Sequence, residues 1–182
     1  MAADTVKVWD PAQRIFHWSL VASFAIAWLT GDDWRSLHYW AGYAAAALVA
    51  FRLVWGFVGT PYARFGQFVR GPLTTLGYLG DVLRGRERRY IGHNPAGGAM
   101  IIVLLVLMAA LCLTGYLSIT DAFWGEEWLE ELHEGLANML LAAVFLHIAG
   151  VAFSSYRHKE NLVTAMFTGM KRLSRRGETV VS

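Results

Sequence analysis

From Ala96 to Ile119 the chain runs for 24 residues without a charged side chain. A helix of that length crosses the roughly 30 Å hydrocarbon core of a bilayer with some tilt. The stretch therefore reads as a membrane-spanning helix, and composition agrees. The hydrophobic share is 55% and the charged share 16%, against about 25% charged in a typical soluble protein. At 182 residues the chain reads as one domain, 1–182, of an integral membrane protein.

The charge-free stretch is opened by Asn94-Pro95, a capping side chain followed by proline at the first helical position. Asp10-Pro11 repeats that device. The pattern predicts four helices, at about 11–30, 37–58, 95–119 and 128–155, with Ser36 as the cap of the second. The first apolar run is followed by Thr30-Gly31-Asp32-Asp33, with no small-x-small cleavage site, and is expected to be a retained span rather than a signal peptide. Between the second and third spans, residues 60–93 form an amphipathic connection. Pro72 opens a segment with Leu73, Leu76, Leu79 and Leu83 at helical spacing, which suits the membrane interface. The arginines that follow, Arg84, Arg86, Arg88 and Arg89, suit anionic lipid headgroups. In the tail, 156–182, Leu162, Met166, Met170 and Leu173 fall on one side of a surface helix, and the last few residues are expected to fray.

Charge is segregated. The middle connection and the tail hold Arg64, Arg70, the four arginines above, Arg157, Lys159, Lys171, Arg172, Arg175 and Arg176. The two other connections hold Asp32, Asp33, Asp121, Glu126, Glu127, Glu130 and Glu131, with Arg35 as their one cation. The positive-inside rule then puts both termini in the cytoplasm. Nucleic acid is not an expected partner.

With that topology the histidines inside the spans sort by depth. His17 and His147 lie near the cytoplasmic face, and His38 and His133 near the outer face. His133 and His147 are fourteen positions apart, which returns the second side chain to within about 40° of the first, roughly 21 Å along the axis. Ionisable residues inside a membrane are scarce and usually functional. Imidazoles bonding one helix to another is the plain alternative. A zinc site wants more ligands in one place, and a proton relay wants acids within the spans. Two depth-matched pairs, each drawn from two helices, instead offer the two axial nitrogens of a six-coordinate haem iron. Cys112, the only cysteine, permits no CxxCH attachment, so the haem would be held without a covalent link.

His38 and Arg52 repeat the fourteen-position spacing, with Gly42, Ala45 and Val49 between them on one face. Gly42, Ala137 and Gly150 leave room beside the histidines, as they would also do for ordinary close helix packing. Arg52, level with the inner layer, suits a haem propionate, or else snorkels to headgroups. Arg14 is a weaker second candidate for the same role. His93 and His158 read as surface residues, though His93 could meet a quinone headgroup or a propionate. Met139 is off the histidine stripe and is discounted as a ligand.

Trp9-Asp10-Pro11 with Arg14 and His17-Trp18, His38-Tyr39-Trp40-Ala41-Gly42-Tyr43, Phe51-Arg52-Leu53-Val54-Trp55-Gly56, Gly92-His93-Asn94-Pro95-Ala96-Gly97, and His133 with His147 together resemble the bacterial cytochrome b561 family. That family includes the b-type cytochrome subunit of nickel–iron hydrogenases. The resemblance runs from about Val6 to Ser155. It implies an all-α four-transmembrane-helix bundle holding two haems b, with the four histidines as iron ligands in the pairs above. It implies electron transfer between membrane quinone and an outer-face partner. The acidic outer face suits a basic periplasmic c-type cytochrome. Short outer loops fit a hydrogenase less well, and a homodimer is left open. Two other readings remain: a superoxide:quinone oxidoreductase of the same fold, and a haem-free membrane assembly or transport subunit.

Overall fold

The computed structural model describes residues 5–31, 33–173 and, for the backbone only, 180–181. Asp32, Arg175 and Arg176 of the charge pattern, and Ser182 of the end expected to fray, lie outside these. The protein is mostly helical, with four long helices: α1 (Pro11–Thr30), α2 (Arg35–Val58), α5 (Pro95–Leu117) and α6 (Glu127–Arg157). Three shorter ones, α3 (Phe65–Phe68), α4 (Pro72–Leu83) and α7 (Leu162–Thr168), lie between and after them. Among the described residues, α2, α5 and α6 are long and apolar enough to cross a membrane. The more polar α1 carries Gln13, Arg14 and His17 in its first two turns.

Both cap-plus-proline devices form as expected. The Gln13 amide donates to Asp10 Oδ1 at 2.9 Å, and the Gly97 amide to Asn94 Oδ1 at 2.7 Å. Each satisfies an amide that the first helical turn leaves open. Ser36 does not cap α2. The helix already starts at Arg35, where the Trp34 amide bonds back to Thr30 and the turn runs directly into α2.

The chain divides into two compact units. The second comprises Ile15–Leu53 and Val103–Phe145. Its core is one apolar cluster to which all four long helices contribute. Ala45 and Val49 of α2, Met108 of α5 and Leu140 of α6 are buried there, with Leu20 and Phe24 of α1 against them. Cys112 packs at its edge, as a small apolar side chain would. Along α2 the buried positions Ala41, Ala45, Val49 and Arg52 recur every three or four residues, the spacing of a single helix face. In lipid such a core is held by close van der Waals packing rather than by exclusion from water.

The first unit comprises Met1–Arg14, Val54–Ile102 and Leu146–Ser182. Val8, Trp9, Ile91 and Ala165 form its apolar core. Here short strands join the helices. Strand β1 (Thr5–Lys7) pairs antiparallel with β3 (Met170–Arg172), and β2 (Arg89–Tyr90) pairs parallel with β4 (Val180–Val181). The surface helix of the tail is shorter than its leucine–methionine spacing suggested. Gly169, at φ 81°, takes the left-handed conformation that ends α7 at Thr168. Met170 therefore lies in β3 and Leu173 beyond it.

The basic residues of this unit divide. Arg84, Arg86 and Arg88 are exposed beside α4, whose Leu73, Leu76, Leu79 and Leu83 also face outward, as an interfacial helix requires. Arg89 does not face headgroups. It is 3% exposed and donates to Glu160 at 2.9 and 3.0 Å. Lys171, 5% exposed, stands 3.7 Å from the same carboxylate and donates to the Ile91 carbonyl at 2.8 Å. Burial pushes the Lys171 ammonium below its ordinary value, and Glu160 pulls the other way. His93 is also not a surface side chain, because its ring lies between Trp9 and Phe68, 4.5 and 4.9 Å from their centroids. His158 is half-buried, and its carbonyl accepts from Arg172.

Candidate functional site

The second unit brings His38 of α2 and His133 of α6 together. Their ring centroids are 6.2 Å apart and their planes 71° from parallel. Two metal–imidazole bonds of about 2 Å, plus roughly 1 Å from each nitrogen to its ring centre, span about 6 Å. The separation thus leaves room for one metal ion between the two rings.

Hydrogen bonds decide which nitrogens carry a lone pair. His38 Nδ1 lies 2.8 Å from the Ala27 carbonyl of α1. A carbonyl only accepts, so Nδ1 carries the proton and Nε2 the lone pair. His133 Nδ1 lies 2.9 Å from Thr114 Oγ1 of α5. That hydroxyl directs its own proton to the carbonyls of Ala110 and Leu111, both at 3.1 Å. With its proton so directed it accepts from His133, and Nε2 is then the atom with the lone pair. Metal-bound histidines commonly anchor their second nitrogen in this way, which fixes tautomer and ring orientation.

Among the described residues no three His, Cys, Asp or Glu side chains gather where they could hold a bare metal ion. Two imidazoles alone suit an iron whose four other ligands come from a porphyrin. The pair therefore fits a haem. Gly42, one turn along α2 from His38, is half-buried, and a Cβ there would meet nothing within 4 Å.

The other expected site residues are placed as follows. His17, in the second unit, is half-buried with its ring edge-on to Trp18. His147, in the first unit, is half-buried on α6. Arg52 is 1% exposed and is turned inward rather than toward the surface. Arg14 donates from Nη1 to the Phe167 carbonyl, which ties the start of α1 to the end of α7. Met139 is 53% exposed and faces away from the packed interior. Asp33, Asp121, Glu126, Glu127, Glu130 and Glu131 are all exposed.

Sequence reading missed Ala27, Thr114 and Gly115. The carbonyl of Ala27 leaves no trace in a sequence. Thr114-Gly115 does leave one, as a hydroxyl beside a glycine in an otherwise apolar span. The short connection to α6 makes α5 and α6 neighbours, and both Thr114 and His133 lie within two turns of it.

The model of the family described as prokaryotic cytochrome b561 matches residues 8–169. The chain belongs to the prokaryotic cytochrome b561 family. Two relatives, from Azotobacter vinelandii and Azotobacter chroococcum mcd 1, are each named as a probable Ni/Fe-hydrogenase B-type cytochrome subunit. Each is 24% identical over 157 aligned positions, taking in 70% of this chain and 65% of the relative. The chain thus spans just under two thirds of the length of these relatives. Membership makes this a membrane protein of the cytochrome b561 type.

Proposed function

We propose that this b561-family protein is a di-haem cytochrome that carries electrons across the cytoplasmic membrane, between the quinone pool and an outer-face redox partner. The observation that carries the reading is the His38–His133 pair, 6.2 Å between rings, with both Nδ1 atoms engaged elsewhere. Bound there, a bis-histidine haem supplies one-electron redox chemistry at a coordinatively saturated iron. His38 and His133 hold the outer group through Nε2. His17 and His147 hold a second group near the cytoplasmic face, a pairing drawn from the sequence pattern. Arg52 neutralises a propionate, Arg14 is a lesser candidate for that role, and Gly42 leaves room for the ring. In this reading α1 is the fourth span, a single membrane domain holds both haems, and both termini are cytoplasmic. Quinone binds on the cytoplasmic side, near Arg52 and His17. The exposed outer acids attract a basic partner such as a c-type cytochrome, and reduction by it slows as ionic strength rises.

The absorption spectrum of the purified protein tests the core of this. A b-type Soret and α band are required, and without them the reading is wrong. Single variants then test the pairing. His17→Ala and His147→Ala lose the same haem, and His38→Ala and His133→Ala lose the other. Equal loss of both haems from every variant counts against it. The names of the two relatives favour a second reading of the partner, a nickel–iron hydrogenase on the outer face. Hydrogen-driven reduction of the haems in membranes that contain a hydrogenase, absent from membranes that lack one, would select it.

A further inference from the structure

Two consecutive residues of α5 act on the His133 ring. Thr114 is buried, and its hydroxyl proton points back along the helix to Ala110 and Leu111. Its oxygen is thereby left to accept from His133 Nδ1 at 2.9 Å. Gly115 lets the α5 backbone approach the same ring. A Cβ there would stand 2.9 Å from Cε1 and 3.4 Å from Nδ1. One residue thus fixes the proton, and the next fixes where the ring can sit. His38 is held differently, because its acceptor is the backbone carbonyl of Ala27, which no side-chain substitution removes.

We propose that Thr114 is a positioning residue for His133, setting its tautomer and donor strength and so the redox poise of the haem it shares with His38. This rests on the ligation of one iron by that pair. An acceptor on Nδ1–H leaves more electron density at Nε2 and makes the imidazole a stronger donor to iron. A stronger donor stabilises ferric over ferrous iron, which lowers the midpoint potential, and outer hydrogen bonds of this kind are a known lever on haem potential. Removing the acceptor should raise it.

The test uses the full chain with its haems, redox-titrated through the α band, in wild type, Thr114→Val and Thr114→Ser. Valine keeps the shape without the hydroxyl, and serine keeps the hydroxyl. The expected result is an upward shift of one of two midpoints in Thr114→Val, the other unmoved, with Thr114→Ser at the wild-type values. Loss of one haem from Thr114→Val, with both retained in Thr114→Ser, also supports the assignment, since a mispositioned His133 releases its ligand. Unmoved midpoints in Thr114→Val, equal movement of both, or a Thr114→Ser shift as large as the valine shift overturns it. A wild-type protein without the low-spin ferric signal of bis-imidazole haem in electron paramagnetic resonance fails the ligation reading itself. A wild type with that signal and an unmoved valine variant fails the Thr114 inference alone.

Discussion

The two units use polar side chains in opposite ways. In the first unit they answer one another. Asp10 accepts from the Gln13 amide, from Thr60 at 2.6 Å and from Trp55 at 3.2 Å. Burial alone would raise its carboxyl, but these hydrogen bonds outweigh it and hold the group below its ordinary value. Glu160 gathers Arg89, Lys171 and the Arg172 amide. In the second unit His38 and His133 each give Nδ1 to a protein partner, while their rings stand 6.2 Å apart with Nε2 left for another group. A closed network fastens chain segments together, whereas a half-closed one presents donor atoms to something the chain does not supply. Substitutions in the Asp10 and Glu160 networks should therefore act on stability, and substitutions around the His38–His133 pair on haem content.

The largest effect that could break this division is at two glycines. Gly115→Val puts bulk where even a Cβ lies 2.9 Å from the His133 ring. It should lose one of two haems, halving the haem-to-protein ratio, while the helices stay folded by circular dichroism. Gly98→Val puts bulk where a Cβ would lie 2.5 Å from the Phe68 carbonyl oxygen, a backbone atom that cannot step aside. It should lower the yield of folded protein without favouring one haem over the other. If both variants show the same haem-to-protein ratio, the division fails.

Next in size is Glu160→Ala. It leaves Arg89 and Lys171, both buried, without their shared carboxylate. Stranding buried charge costs about 3–5 kcal/mol, which should appear as a large fall in melting temperature in detergent. The ratio of the two haems in the surviving folded fraction should not change. Selective loss of one haem from this variant would sink the comparison.

The same division explains what could be read in advance. The caps at Asp10-Pro11 and Asn94-Pro95, the apolar spans and the histidine stripe are local or periodic, so the sequence carries them directly. That Ala45, Val49 and Arg52 share one face follows from helix geometry; that the face turns inward comes from the packing of the other helices on it. The first unit was much less legible because its contacts join segments far apart in the chain. Thr5 pairs with Arg172, and Arg89 meets Glu160. A basic run reads as lipid-facing until the acid that one of its members turns toward is known. His93 reads as exposed until Trp9 and Phe68 close over it. Thr114 was missed for a related reason: a hydroxyl in an apolar helix satisfies itself by bonding back along its own turn, so nothing local says that its oxygen also serves a histidine on the next helix.

A smaller effect isolates the charge of Asp10. Asparagine also caps helices, so Asp10→Asn keeps the cap and loses the carboxylate that accepts from Thr60 and Trp55. The loss should be about 1 kcal/mol at neutral pH. Because the folded carboxyl titrates below its ordinary 3.8, its contribution is present above that value and is lost as pH falls through the folded value. The melting temperatures of wild type and variant should therefore differ at pH 7, begin to converge as pH falls below about 4, and meet once it has passed the folded value. A difference that persists unchanged in acid would mean that packing, not charge, makes Asp10 matter.

The smallest effect belongs to the first unit's ion pair that is open to solvent on one side. Arg157 donates to Glu87 at 2.7 and 3.2 Å, and that hydrogen bond holds the Glu87 carboxyl below its ordinary 4.5 despite the opposing pull of burial. The Glu87 side chain is 3% exposed, but Arg157, unlike Arg89, is 39% exposed, so water and salt reach the pair from the arginine side and screen part of what it contributes. Glu87→Gln should lower the melting temperature slightly in dilute buffer. At 1 M salt, where the Debye length is about 3 Å, wild type and variant should melt together. The Glu160→Ala deficit should survive the same salt, since its charges are buried. If salt erases both deficits alike, the Glu160 cluster behaves as a solvated surface pair, and burial is not what separates the two networks.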